Sequence, residues 1–213
     1  MRCYLFDLDG TLLDSMGIWE RIDVDFLTMR GLEVLPDYIE AISSMSFPES
    51  ARYTVDRFGL PESADDLLRE WNSMALDAYS HTVPLKPHAK EYLRALMRRG
   101  VRLGVATSLP AVLYEAALRN HGIMEWFEVI CSTDEVDSGK TKPDVFLLAA
   151  AKLGVDPGDC LVFEDSPEAM ESAKRAGMTV YGVYEEAFKE QWPLIQQIAD
   201  GVITDFRTAP LPK

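Results

Sequence analysis

The sequence predicts an α/β fold: a Rossmann-like parallel-sheet core with an all-helical domain inserted into it. Three observations carry this. From Pro84 onward, short apolar runs alternate with helical stretches of about 10–15 residues, the pattern of repeated βα units. One more apolar run stands alone at 3–9, and a lone strand has to join a sheet elsewhere in the chain. Between the two, residues 15–80 show helical periodicity and no convincing strand.

In the first run Tyr4, Leu5, Phe6 and Leu8 surround the acids, and Gly10-Thr11 breaks the strand. Within 15–80, Leu67, Leu68, Trp71, Met74, Ala75 and Ala78 recur at three- and four-residue spacings and make one amphipathic face. Pro48 suits the first turn of another helix, which Gly59 ends. Trp19, Phe26, Trp71 and Trp126 sit in apolar helical stripes and read as core. After Pro84, a helix carrying Ala89, Tyr92, Leu93, Leu96 and Met97 on one face stops at Gly100, before a strand over 101–106. Helices from about Pro110 to Gly122, after Pro143, up to Ala176-Gly177, and one more near the end each precede a strand, at 128–131, 160–163, 178–183 and 202–204. The expected domains are a core of 1–14 with 81–213 and a helical domain of 15–80.

Hydrophobic residues make up 47% of the 213 and charged residues 26%, enough for a packed core. Lys+Arg number 21 against 35 Asp+Glu, a net −14, which opposes non-specific binding to nucleic acid or an anionic membrane. An anionic small molecule needs only a few local positive groups and stays open. No apolar stretch approaches the roughly 18 residues of a membrane span. Cys3, Cys131 and Cys160 are odd in number and lack a CxxC pair, so a reducing cytoplasm is expected rather than a disulfide scaffold. The acid at Asp7 comes too early for a secretory signal.

In a parallel α/β sheet, ligands bind beyond the C-terminal strand edges. Asp7 and Asp9 close the first expected strand, Thr107 and Ser108 follow the second, and Glu164 and Asp165 follow the one at 160–163. A single acid at a strand end is ordinarily a cap or turn residue. Four at such ends are hard to explain that way. In an extended strand Asp7 and Asp9 face the same way and repel, a cost that a divalent cation removes. Oxygen ligands with no His or Cys suit Mg²⁺ rather than Zn²⁺. Gly139-Lys140-Thr141 looks like the end of a phosphate-binding Gly-rich loop, but Asp134 stands where that motif needs its first Gly. His81, His88 and His121 are scattered and form no metal pattern.

These residues resemble a known family. Asp7-Leu8-Asp9-Gly10-Thr11-Leu12 is similar to the first motif of the haloacid dehalogenase superfamily of phosphatases and phosphomutases. Val105-Ala106-Thr107-Ser108 resembles the second, Lys140-Thr141-Lys142-Pro143-Asp144 the third, and Phe163-Glu164-Asp165-Ser166 with Ala173 and Ala176-Gly177 the fourth. The helical insertion resembles the small cap of the β-phosphoglucomutase and phosphoglycolate phosphatase branch. Ala169 departs from the Gly usual there, with little expected effect. The resemblance implies that Asp7 attacks phosphorus and forms an aspartyl-phosphate, and that Asp9 serves as acid and then base. It implies Mg²⁺ held by Asp7, the backbone carbonyl of Asp9, and Asp165, with Glu164 nearby or acting through water. Lys140, the Thr107 hydroxyl and the Ser108 amide would bind the phosphoryl oxygens. A lysine is ordinarily a solvated surface residue, and Lys142 keeps that reading; Pro143-Asp144-Val145-Phe146 favours Lys140 for the site.

The function expected is a Mg²⁺-dependent phosphatase of a small phosphorylated metabolite, acting as a cytoplasmic monomer without nucleic-acid or membrane partners; a β-phosphoglucomutase-like phosphomutase is the alternative. Dehalogenases of the superfamily lack the second Asp, present here as Asp9. Phosphonatases use a cap Lys, and 15–80 contains none. A silent relative would have lost a motif residue, and none is lost. Mutases of this kind carry a His in the linker helix after the first motif and an Arg in the cap, which fall at Trp19 and Phe47, with Arg52 five residues beyond as the alternative for the Arg. With 13 acids and 5 Arg over 15–80, the cap should disfavour highly anionic substrates.

Overall fold

Apolar runs short enough to be covered on both faces become the strands. The structure, a computed structural model, describes residues 3–212 except 43, 44, 46 and 137, and leaves out the side chains of residues 40, 47 and 48. The strands are β1 (Cys3–Phe6), β2 (Arg102–Thr107), β3 (Val129–Ser132), β4 (Cys160–Glu164), β5 (Thr179–Val183) and β6 (Gly201–Ile203). All pair in parallel, in the order β3-β2-β1-β4-β5-β6. The α/β class with a parallel Rossmann-like sheet is therefore the observed one. In such a sheet the strand order reverses beside the first strand, and the crevice that binds ligands opens there, at the C-terminal ends of β1 and β4.

The chain divides into two compact units, residues 17–82 and residues 1–16 with 83–213. The first contains α1 (Ile18–Met29), α2 (Pro36–Ile42), α3 (Phe47–Phe58) and α4 (Ala64–His81), with no strand among its described residues. Phe26 meets Trp71 edge-on at 5.6 Å, and Tyr38 meets Phe58 at 5.2 Å while hydrogen-bonding Thr54 at 2.9 Å. Arg30 lies over the Phe26 ring and pairs with Glu62 and Glu70 at 3.0 and 2.6 Å. Ser63 and Asp66 form a capping box that starts α4. Among the described residues no helix is long and apolar enough to cross a membrane.

The second unit adds α5 (Ala89–Met97), α6 (Ala111–Asn120), α7 (Asp144–Leu153), α8 (Pro167–Arg175) and α9 (Trp192–Ile198). Alternation along β1 sends Cys3 and Leu5 to one face, where Phe146, Ala149, Met170, Ala173 and Ile195 cover them. Tyr4 and Phe6 point to the other. There Phe6 stacks on Phe163 at 5.0 Å with planes 2° apart, and Tyr92 and Phe206 close round the pair. The two stacked rings immediately precede Asp7 and Glu164, so the cluster holds both strand ends.

One expectation is corrected. The strand expected over 3–9 stops at Phe6. The Asp7 amide still bonds to the Phe163 carbonyl at 3.0 Å, but the Leu8 carbonyl then accepts from the amides of Thr11, Leu12 and Leu13 at 3.2, 2.9 and 2.8 Å. Three bonds to one oxygen wind the chain into a loop, and Gly10 takes φ +73° within it.

Phe163→Ala should lower stability by about 3–5 kcal/mol, because it removes a ring from a closed aromatic cluster. Urea unfolding followed by far-ultraviolet circular dichroism measures this. A loss below about 1 kcal/mol would show that the cluster does not hold the strand ends.

Candidate functional site

Three carboxylates converge where β1 and β4 end. Asp7 is 5% exposed, Glu164 1% and Asp165 3%, and each offers an oxygen within 4.8 Å of the others'. Register places them: Phe6 pairs with Phe163, so the next residues along, Asp7 and Glu164, emerge side by side. Asp165 is held by the Thr11 hydroxyl, which donates to its Oδ1 at 3.1 Å. One Glu164 oxygen accepts from the amides of Asp165 and Ser166, both at 3.3 Å. Its other oxygen accepts from Lys140 Nζ at 2.8 Å, and the same ammonium donates to Asp7 Oδ1.

Lys140 comes from the loop before α7. That loop is tied at both ends: Ser138 Oγ donates to Asp144 at 2.5 Å, and the Arg175 guanidinium donates to the Thr141 carbonyl at 2.6 Å. Lys140 is 10% exposed at its side chain, with Phe146 beneath its ammonium at 5.6 Å. Lys142 is exposed and does not line the pocket.

One ammonium cannot neutralise three buried carboxylates. Burial, and then the Glu164 charge, push Asp7 up to about 7. The same causes hold Asp165 well above the carboxylate range. Burial opposes the Lys140 charge, but Asp7 and Glu164 outweigh it and hold Lys140 above the usual lysine value. The residual negative charge and the all-oxygen donor set fit a hard divalent cation. Gly10 supplies a steric sign of the same design. A Cβ there would lie 2.1 Å from Asp165 Oδ2, so a side chain at this position would displace that carboxylate.

The cluster forms the floor of a pocket of about 370 Å³ whose walls include Asp9, Thr107, Ser108 and Lys140. All seven residues singled out by the sequence, Asp7, Asp9, Thr107, Ser108, Lys140, Glu164 and Asp165, thus reach one cavity. Asp9 is expected to reach the metal through its backbone carbonyl, and its side chain lies apart from the three acids. Because β1 ends at Phe6, the Asp9 carboxylate lies in the loop, accepts from Ser15 Oγ at 2.6 Å, and stays outside the three-carboxylate cluster. Thr107 Oγ1 accepts from the Leu109 amide at 3.2 Å, which leaves its own proton for a ligand. The sequence reading missed Thr11 and Ser15, although both stand in or beside the first acidic motif. It also missed Met16, Glu168 and Phe188 on the pocket wall; for Phe188 no sequence signal exists. Of the two positions compared with mutases, Trp19 lies half-buried in α1, and the Phe47 side chain is outside the described residues.

The sequence pattern described as haloacid dehalogenase-like hydrolase matches residues 4–183. The chain is 34% identical to the bifunctional riboflavin kinase/FMN phosphatase of Arabidopsis thaliana over 85% of its length, and spans about half of that protein (48%). It is 29% identical to hexitol phosphatase B of Escherichia coli, over 82% of this chain and 79% of the relative. A crystal structure of a putative β-phosphoglucomutase from Thermotoga maritima superposes with a TM-score of 0.86 at 24% identity, covering 95% of this chain and 94% of that one, a likeness of fold.

Two outcomes follow from this geometry. Asp7 holds its proton more tightly when folded than when unfolded, so the metal-free protein should lose stability as pH rises from 5 towards 8, through about 7. Added Mg²⁺ should flatten that slope. Melting temperatures across this range with and without Mg²⁺ provide the check, and a metal-free protein that gains stability with rising pH would refute it. Gly10→Ala should weaken Mg²⁺ binding by at least about tenfold in calorimetry, through the clash with Asp165 and the cost of a left-handed backbone for alanine.

Proposed function

The chain belongs to the haloacid dehalogenase-like hydrolases, and on that premise we propose that it is a Mg²⁺-dependent phosphatase of small phosphorylated metabolites. The observation that carries the reading is Asp7, a buried carboxylate at the end of β1 with Lys140 against it and two more acids behind. Relatives named as phosphatases support the class.

Asp7 attacks the substrate phosphorus in line. The new bond joins an Asp7 oxygen to phosphorus while the ester P–O bond breaks. Asp9 gives its proton to the departing alkoxide. Water then attacks the aspartyl-phosphate, Asp9 takes a proton from that water, and inorganic phosphate leaves with Asp7 restored. Ser15, bonded to Asp9 at 2.6 Å, supports the orientation of that carboxylate. Lys140, the Thr107 hydroxyl and the Ser108 amide face the charge on the transferring oxygens. Asp7, Glu164 and Asp165 would hold Mg²⁺, with the Asp9 carbonyl as a further ligand, and the bound ion would supply positive charge that favours ionised Asp7 and the phosphoryl group beside it. Aromatic residues at Trp19 and Phe47, where mutases carry His and Arg, support transfer to water over transfer to a second substrate position. Three buried free cysteines support a reducing, cytoplasmic setting, and a monomer acting on a small molecule completes the reading.

Asp7→Asn keeps the size of the side chain and removes its nucleophilic charge. It should abolish hydrolysis in a screen of phosphorylated metabolites while leaving circular dichroism unchanged; a folded variant with even a tenth of wild-type activity would exclude Asp7 as nucleophile. EDTA should abolish activity and Mg²⁺ restore it. Undiminished turnover in a metal-stripped sample would sink the metal assignment.

A further inference from the structure

The residues assigned above account for the floor of the pocket but not for one part of its wall. Glu168 and Phe188 line the same cavity and have no role in phosphoryl transfer. Glu168 stands in the first turn of α8, a nine-residue helix opened by Pro167. The amides at a helix start favour an anion, and Glu168 is the acidic residue of this first turn. Ser166 Oγ donates to Glu168 Oε2 at 3.1 Å. The other oxygen has no hydrogen-bond partner among the described residues and is free to accept. Phe188 packs its inner edge on the sheet-covering core and is only half-buried, so part of its ring faces the cavity. It takes a non-helical conformation, φ −107° and ψ 17°, within a 3₁₀ segment.

We propose that Glu168 is a specificity-determining residue: it accepts a hydroxyl or ammonium group from the alcohol part of the ester and rejects alcohol parts that carry a second anion. The substrates this selects are monophosphates of neutral or cationic polyhydroxy compounds, with Phe188 offering an apolar face to the carbon skeleton. The inference deepens the phosphatase reading and rests on it. Its physical basis is charge. A fifth carboxylate in a cavity that already holds Asp7, Asp9, Glu164 and Asp165 meets the incoming group where Lys140 is spent on Asp7 and Glu164. A carboxylate or second phosphate placed near Glu168 meets repulsion, and a hydroxyl meets a charged acceptor.

Glycerol 3-phosphate and 3-phosphoglycerate share a skeleton and differ in one terminal group, CH₂OH against carboxylate. Each is titrated as a competitor of p-nitrophenyl phosphate hydrolysis by the full chain with Mg²⁺, at low and high ionic strength. The wild type should bind glycerol 3-phosphate more tightly. Glu168→Gln, which keeps shape and removes charge, should narrow the ratio of inhibition constants by about fivefold, chiefly by tightening 3-phosphoglycerate, and the narrowing should shrink in high salt. An unchanged ratio in Glu168→Gln, or a wild type that prefers 3-phosphoglycerate, overturns the inference while the phosphatase reading stands. Failure of the wild type to hydrolyse p-nitrophenyl phosphate or any metabolite ester would overturn that reading, and this inference with it.

Discussion

Three carboxylates buried within reach of one another, with a single lysine to answer them, is the constraint on which the rest of the α/β unit turns. Like charges that close in a poorly solvated place repel by several kcal/mol unless something positive stands among them. Lys140 is that group, but it is one charge against three, and Asp7 and Asp165 are pushed up in consequence. Much of the local architecture keeps this arrangement in place. Thr11 holds one acid and backbone amides hold another. Gly10 leaves room for the same Asp165 carboxylate that Thr11 holds, and the lysine's loop is tied down at Ser138 and Thr141.

The sheet makes the convergence possible, and its packing makes it rigid. Parallel pairing of β1 with β4 in register brings two strand ends together that are separated by more than 150 residues of chain. The stacked rings of Phe6 and Phe163 lie one residue below the acids. A slip of β1 by one residue against β4 would put Phe6 and Phe163 on opposite faces of the sheet and carry Asp7 away from Glu164. Hydrophobic packing on one side of the peptide chain and electrostatics at its end are therefore set by the same pairing.

Much of this was legible in the residues. The α/β class follows from apolar runs alternating with helical stretches, and five of the six strands begin and end within a residue of the run that announces them. The site residues were legible because acids at strand ends have one destination in a parallel sheet. What periodicity could not carry was the loop after β1. The pattern of Tyr4, Leu5, Phe6 and Leu8 continues smoothly into the acids, yet the strand ends at Phe6 because the Leu8 carbonyl gathers three amides. No side-chain pattern encodes that, and it decides that Asp9 turns to Ser15 while Asp7 joins the cluster. Thr11 and Ser15 lay inside the legible motif without a legible role. Phe188 comes from a 3₁₀ segment far along the chain, and only the folded structure brings it to the pocket.

The arrangement is poorly explained as a stabilising device. A buried ion pair barely repays its desolvation even when the charges balance, and apolar residues of similar volume often serve stability as well or better. Here they do not balance. A chain selected for stability alone would do better to replace Asp165 or Glu164 than to bury both beside Asp7. Keeping all three, together with the glycine and threonine that fit around them, makes sense where the excess negative charge attracts a cation and one carboxylate must stay reactive. The same logic separates the floor of the pocket from its wall. The charges on the floor are coupled to one another and cannot be changed singly without disturbing the chemistry. Glu168, exposed and bonded to its neighbour Ser166, is free to vary. Selectivity can therefore change at the wall while the floor stays as it is.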